Sequence, residues 1–292
     1  MDQSGQLVFW QSKRFQQSFL LTVSHVLVFG GLIVLMVPFG WMISTSLKPL
    51  PQTFDFPPTW IPDPVVWRNY IDGWTYMPFT RYLWNTVYIT TLGVIAQVGI
   101  GALVAYAFAR MRAPGRDFLF LLVLSSLMIP DQVTMIPKFI LFRELGWVNT
   151  FKPLIIPHFF GGGAVPIFLL RQFFLTLPLE LDDAAKIDGC SRFGIFWRII
   201  VPLSKPALGT IAIFSFFWRW NEFLDPLIYL KSPDLRTLAL GLTFFRDETG
   251  ATMVPWNLVM AVSLLVALPS LIIFFFCQRF FVQGIVLTGI KG

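Results

Sequence analysis

The sequence predicts an all-α, polytopic membrane protein with six transmembrane helices, and three observations predict it. Of its 292 residues, 55% are hydrophobic and only 13% are charged, about half the roughly 25% charge of a soluble domain. Charge-free runs lie between Arg14 and Lys48, between Arg81 and Arg110, and between Glu248 and Arg279, each longer than the about 20 apolar residues a spanning helix needs. The basic residues gather on one side of the layout those runs define, as they do when a chain is oriented across a membrane.

The charge-free runs set the first, second and sixth spans at Phe19–Ile43, Leu83–Ala109 and Leu258–Cys277. A third span starts at Phe118 and runs through Pro130 to about Phe139, a fourth covers Pro153 to about Leu170, and a fifth covers Ala207 to about Leu230. The third carries Asp131, and the fifth carries Arg219, Glu222 and Asp225. Within the fourth, "FFGGGAVP" breaks helical continuity, and such irregularity at membrane depth packs on protein or lines a cavity. The organisation is then an N-terminal segment 1–18, a membrane domain 19–282 containing a polar loop 178–202, and a C-terminal tail 283–292.

Six spans put both ends on one side. Twelve Lys and Arg fall on that side, nine fall in or beside the opposite loops, and Arg219 lies within a span; the tight Arg110–Arg116 cluster belongs to the larger group. The positive-inside rule therefore assigns both termini to the cytoplasm. The net charge of +6 orients the protein against lipid, and no nucleic-acid partner is needed. The first twenty residues lack a signal peptide's short apolar core and cleavage site, so the first span is expected to be retained. The outer loop Leu47–Trp74, rich in Pro and Trp, reads as an ordered ledge, because Pro fixes extended or turn geometry.

The loop between spans four and five, "ELDDAAKIDGCSRFGIFWRIIVP" (Glu180–Pro202), packs four acids and three bases between apolar spans. Leu181, Ala184 and Ala185 recur at i, i+3 and i+4, the stripe of a short helix. Gly189 stands where a helix ends in a left-handed residue, and Ser191 can cap the next turn. Phe193, Phe196, Trp197 and Ile200 then give a second apolar face at helical spacing, closed by Pro202. Asp182, Asp183, Lys186 and Asp188 flank the first helix. Such a knob suits docking to a soluble partner; an ordinary solvated connector is the alternative.

Here the residues carry a resemblance. Asp183-Ala184-Ala185, three residues, Gly189, nine residues, then Ile199-Ile200-Val201-Pro202 resembles the coupling motif EAA–x3–G–x9–I–x–L–P of ABC-importer permeases, with Asp183 for Glu and Val201 for Leu. "GALVAYAFARMRAPGR" (Gly101–Arg116), "LMIPDQVTMIPKFILFRELGWVNTFKPLIIP" (Leu127–Pro157) and "WNEFLDPLIYL" (Trp220–Leu230) resemble the carbohydrate-uptake branch, in particular its maltose-system G-type subunits. The resemblance implies a type I ABC-importer permease fold. It implies coupling to an ATPase pair through Asp182, Asp183, Ala184, Ala185, Asp188, Gly189 and Pro202. "QRFFVQGIVLTGIKG" (Gln278–Gly292) is similar to a tail that reaches the ATPases, which implies contacts from Gln283, Gly284, Lys291 and Gly292. A homologous second permease, an extracytoplasmic solute-binding protein and a carbohydrate substrate are implied as partners, with transport by alternating access.

The chain has no G-x-x-x-x-G-K-[ST] loop, so no catalytic residue, metal site or cofactor of its own is expected; ATP and Mg belong to the partner subunits. Cys190 and Cys277 lie too far apart in sequence for a metal motif, and His25 and His158 have no metal-ligand companions. Ionisable residues at mid-membrane also mark ion-coupled secondary transporters and channels, a second reading of Arg219, Glu222 and Asp225. A purely structural membrane subunit is a third. In the importer reading, the substrate-path candidates are Asp131, Trp218, Arg219, Trp220, Asn221, Glu222 and Asp225. The indole faces would stack on sugar rings, and Arg219 and Glu222, at i and i+3, would either pair or gate.

Overall fold

The computed structural model describes residues 13–245 and 254–289, with side chains over 17–245 and 254–278. Among them every regular element is helical. The chain divides into two compact units, Met1–Gly73 with Met253–Leu264, and Trp74–Thr252 with Leu265–Gly292.

In the first unit, helix α1 (Lys13–Ser46) begins six residues before the predicted span. Its apolar side chains from Phe19 to Val37 are exposed along its length. The ledge that follows is ordered, and its anchor is Lys48, 1% exposed. The Lys48 ammonium donates to the Thr59 carbonyl and stands 4.0 Å over the Trp41 ring; burial lowers its pKa, with Asp55 opposing the shift. Trp41 meets Trp60 edge-on at 5.1 Å, and Asn69 Nδ2 donates to the carbonyls of Ser46 and Lys48 at 2.9 and 2.8 Å. Asn69 opens α2 (Asn69–Tyr76).

The second unit is built around α3 (Phe79–Arg110). Next come α4 (Arg116–Ser125), α5 (Asp131–Glu144), α6 (Lys152–Ile155) and α7 (Ala164–Thr176). The polar loop forms α8 (Glu180–Ile187) and α9 (Arg192–Ile195). After it come α10 (Lys205–Trp220), α11 (Leu224–Tyr229), α12 (Leu238–Thr243) and the long α13 (Trp256–Gly289), which belongs to this unit from Leu265 onward and to the first unit before it. The main partners of α3 are α7 and α10. Ala102, Ala105, Tyr106 and Ala109 of α3, Leu170 and Phe174 of α7, and Ile211 of α10 form a continuous core.

Among the described residues, four stretches are long and apolar enough to cross a membrane: Gln17–Ser46, Phe79–Arg110, Lys152–Thr176 and Trp256–Gln278. The count reaches six when two bent pairs are each taken as one span. The third predicted span is one of these. It is not a continuous helix: Arg116–Met128 and Asp131–Glu144 meet at 100°. Pro130 is the cause, since the residue before proline is pushed out of the helical region, and Ile129 is extended at φ −90°, ψ 115°. The other pair, Arg192–Leu203 and Lys205–Trp220, bends by 79°, and the predicted fifth span stops at Trp220, before α11. The fourth is interrupted at Gly161, Gly162 and Gly163, all at positive φ. The C-terminal tail predicted from residue 283 is helical backbone up to Gly289.

Candidate functional site: the polar loop and the α3–α10 network

Helix α8 begins with three acids in its first turn and a lysine in its last, the order a helix dipole favours. It ends in a Schellman turn: Cys190 N donates to Ala185 O at 2.8 Å and Gly189 N to Lys186 O at 3.0 Å. Gly189 has φ +77° with open space around it, so backbone conformation, not room, selects glycine there. Ser191 caps α9, its Oγ accepting from Gly194 N at 3.1 Å. Pro202 sits in the turn Val201–Leu203, immediately before the bend into α10.

The faces of this loop differ from the sequence expectation. Of the expected stripe Leu181, Ala184 and Ala185, only Ala185 is inside the core, at 7% exposure. Asp182, expected at an aqueous surface, is its buried neighbour one turn away. The reason is Arg110, the last residue of α3. Its buried Nε lies 3.7 Å from Asp182 Oδ2, and a buried guanidinium needs a counter-charge. Asp183, Ala184, Ile187 and Asp188 form the exposed face. Lys186 Nζ, 2.8 Å from Asp183 Oδ1, holds the Asp183 carboxylate below its usual pKa by hydrogen bond and charge. In the second arm, Ile195, Phe196 and Ile200 are buried while Phe193 and Trp197 are exposed. The π turn Phe196–Ile200 accommodates one more residue per turn than an α-helix and rotates the buried face.

The second cluster lies where α3, α7 and α10 meet. Gln97 Oε1 accepts from Ser215 Oγ at 2.6 Å and from Arg219 Nη2 at 2.9 Å, and Arg219 Nε reaches Ser215 Oγ at 3.3 Å. The guanidinium lies over Gly93, where a Cβ would come within 2.7 Å of it. No Arg219–Glu222 ion pair forms among the described residues. Glu222 instead accepts from Leu224 N at 3.0 Å and Asp225 N at 3.3 Å, capping α11, because the helix breaks at Asn221 and separates the i, i+3 pair. Trp220 is not a free stacking face: it is 4% exposed, stacks on Phe216 and donates from Nε1 to Val266 O at 3.0 Å. Asn221 is exposed and bonds its own helix at Phe217 O. Asp131 opens α5, with Lys138 Nζ at 3.4 Å.

Trp218, Arg219, Glu222 and Asp225 do converge, on a cavity of about 70 Å³ that Thr86, Thr90 and His158 also line. It is small beside the roughly 300–1,000 Å³ of pockets that bury organic ligands. The Oγ1 of Thr90, buried, has no hydrogen-bond partner among the described residues. Sequence reasoning missed Gln97, Ser215 and Arg110, since nothing in a single strand of text pairs residues more than sixty positions apart. Of the tail candidates, Gln283 and Gly284 belong to the α13 backbone, while Lys291 and Gly292 lie outside the described residues.

An all-helical chain of this span pattern, with its polar loop built into a helix–turn–helix against the core, is a polytopic permease-type membrane protein. Residues 97–286 match the family "Binding-protein-dependent transport system inner membrane component", and the chain belongs to that family. It is 35% identical over 281 residues to the arabinooligosaccharides transport system permease protein AraQ of Halalkalibacterium halodurans, covering 94% of this chain and 97% of AraQ. It is 34% identical to the probable ABC transporter permease protein YurM of Bacillus subtilis, with 91% and 87% covered. It is 32% identical to the sn-glycerol-3-phosphate transport system permease protein UgpE of Yersinia pestis, with 90% and 94% covered. A chain of the bacterial ABC transporter that imports alginate shares the fold, with TM-score 0.80 at 22% identity over 91% of this chain and 98% of that one. The chain is a transmembrane permease subunit of an ABC transporter, which removes the ion-coupled reading.

Proposed function

We propose that the chain is one of two homologous permeases in a carbohydrate importer, which moves its substrate by alternating access powered by a partner ATPase pair. The observation that carries the coupling is α8, whose exposed face of Asp183, Ala184, Ile187 and Asp188 ends in the rigid Gly189 turn. Small residues on an exposed, capped helix let a groove of a soluble subunit close around it. The substrate class is supported by the relative named for arabinooligosaccharides, with the one named for sn-glycerol-3-phosphate marking a small polyhydroxylated alternative. In this reading the ATPases bind ATP and Mg, and the permease catalyses nothing. A solute-binding protein delivers the sugar on the outer side, and both termini are cytoplasmic, as the basic excess favours. Pro202 redirects the chain into α10. Gln283, Gly284, Lys291 and Gly292 touch the ATPases. The cavity beside Arg219 is the closed form of the path, with Trp218, Glu222 and Asp225 at its wall and Asp131 and Asn221 at its approaches.

The test is Ile187→Asp. Ile187 is 87% exposed, so the fold tolerates the change, yet a charge enters the docking face. Co-purification of the ATPase should fall at least tenfold with normal membrane levels of the permease; wild-type co-purification refutes the coupling role. The substrate class is checked separately by Mg-ATP hydrolysis of the wild-type complex over a panel led by arabinooligosaccharides and glycerol-3-phosphate. Stimulation by no saccharide refutes the carbohydrate assignment.

A further inference from the structure

One side chain bridges three elements at the base of α3. Arg110, whose side chain is 3% exposed, faces the equally buried carboxylate of Asp182 in the first turn of α8, with Nε 3.7 Å from Oδ2. Its Nη2 donates to the carbonyl of Leu177, the C-cap of α7, at 2.7 Å. One turn earlier on α3, the Tyr106 hydroxyl donates to the carbonyl of Arg192, at the start of α9, at 3.1 Å. The last turn of α3 therefore grips both arms of the polar loop. The grip is not optimised for stability. Arg110 Nε and Asp182 Oδ1 are buried without a hydrogen bond, and an apolar pair of similar volume commonly serves a core as well as a buried ion pair does. What an apolar pair lacks is direction: a guanidinium fork fixes the angle as well as the distance between its acceptors.

We propose that Arg110 is a positioning residue that locks α8 to α3, so that displacement of α8 by the ATPases moves α3 as one body with it. The inference rests on the coupling role proposed above for α8. Beyond Arg110 the route is continuous. Gln97 lies thirteen residues back on the same helix, about 20 Å at 1.5 Å per residue, and holds Arg219 at the wall of the cavity. A rigid helix with one polar contact at its C-terminal end and another at mid-length is the kind of physical connection that carries coupling between distant sites. The rival route is the apolar packing of Ala185 against the same core, which Asp182→Asn leaves in place.

The experiment uses the full complex in lipid nanodiscs. The readouts are co-purified ATPase and the stimulation of Mg-ATP hydrolysis by the solute-binding protein. Asp182→Asn and Arg110→Met are expected to retain the ATPase and to lose stimulation at least fivefold, with Arg110→Lys intermediate. The apolar pair Arg110→Met with Asp182→Leu is expected to assemble as wild type, even where a single variant does not, and still to lack stimulation. Wild-type stimulation in Asp182→Asn, or its full return in the apolar pair, overturns the lock and leaves packing as the coupling route. Ile187→Asp separates the two levels. If it releases the ATPase while Asp182→Asn is stimulated normally, only the lock fails; if it binds the ATPase normally, the docking role of α8 fails with it.

Discussion

At Gly162 the broken fourth span presses on the backbone of α3, and Gly162→Ala measures how tight that approach is. A Cβ built there lies 2.7 Å from Gly101 N and 2.8 Å from both Gln97 O and Gly101 Cα. These are backbone atoms inside a long helix and cannot swing aside as a side-chain tip would. The residue also has φ +72°, and a left-handed backbone costs a non-glycine residue about 1–2 kcal/mol. Gly115→Ala is the control, because its φ of +77° is nearly the same and nothing lies within 4 Å of its Cβ. Backbone strain cancels in the comparison, so the difference isolates the overlap, about 1–3 kcal/mol for an overpacked site. At roughly 2–4 °C per kcal/mol for a chain of this order of size, the Gly162 variant should melt roughly 2–12 °C below the Gly115 variant. The assay is the temperature dependence of the monodisperse peak of the detergent-solubilised complex. Equal midpoints would show that α3 and the glycine loop do not meet closely and would refute the packing described for Gln97 and Gly101.

Two further outcomes follow from the second cluster. Trp220→Phe, which removes the bond to Val266 O from a buried indole, should lower stability by about 0.5–1.5 kcal/mol. Trp218→Ala, at a position 72% exposed, should stay within about 0.5 kcal/mol of wild type; the opposite order would refute the assignment of Trp220 as structural. A thermodynamic cycle on Gln97→Ala and Arg219→Ala should show a coupling of about 0.5–3 kcal/mol, larger than that of a cycle on Arg219→Ala and Glu222→Ala, which share a charge interaction but no ion pair among the described residues. Strong coupling in the second cycle would restore the intrahelical pair that the geometry lacks.

How much could be read from the sequence depends on how local the deciding interactions are. Gly189 and Ser191 act within a turn, so their roles in ending α8 and capping α9 were legible, and the charge-free runs located the apolar stretches of the long helices to within four residues at either end. The break in the third span was written in Pro130, but hydropathy alone averages across it. Faces were harder. In α8 an acid lies inside and an alanine outside, the reverse of hydropathy order, because the counter-charge comes from Arg110, 72 positions away. Trp197 was phased by an α-helical period, but it lies in a π turn that departs from it. Arg219 and Glu222 were spaced for pairing on a helix that ends between them.

One long-range feature was nevertheless present in the text. Gly93, Gln97, Gly101, Ala105 and Ala109 recur every fourth residue along α3, a single ridge of the helix surface. Four of the five are small and buried, which lets neighbouring segments approach. Arg219 lies over Gly93, the Gly162 loop presses on Gly101, and the α7, α9 and α10 core packs on Ala105 and Ala109. The one long member, Gln97, is the residue that receives both Ser215 and Arg219. A polar side chain inside a ridge otherwise kept small needs partners at that depth, and its position selects the level of α10 at which they must lie. The helix that the polar loop grips at Arg110 is therefore the same helix whose ridge fixes the network beside the cavity, so any motion the loop imparts to α3 acts on Arg219 through Gln97.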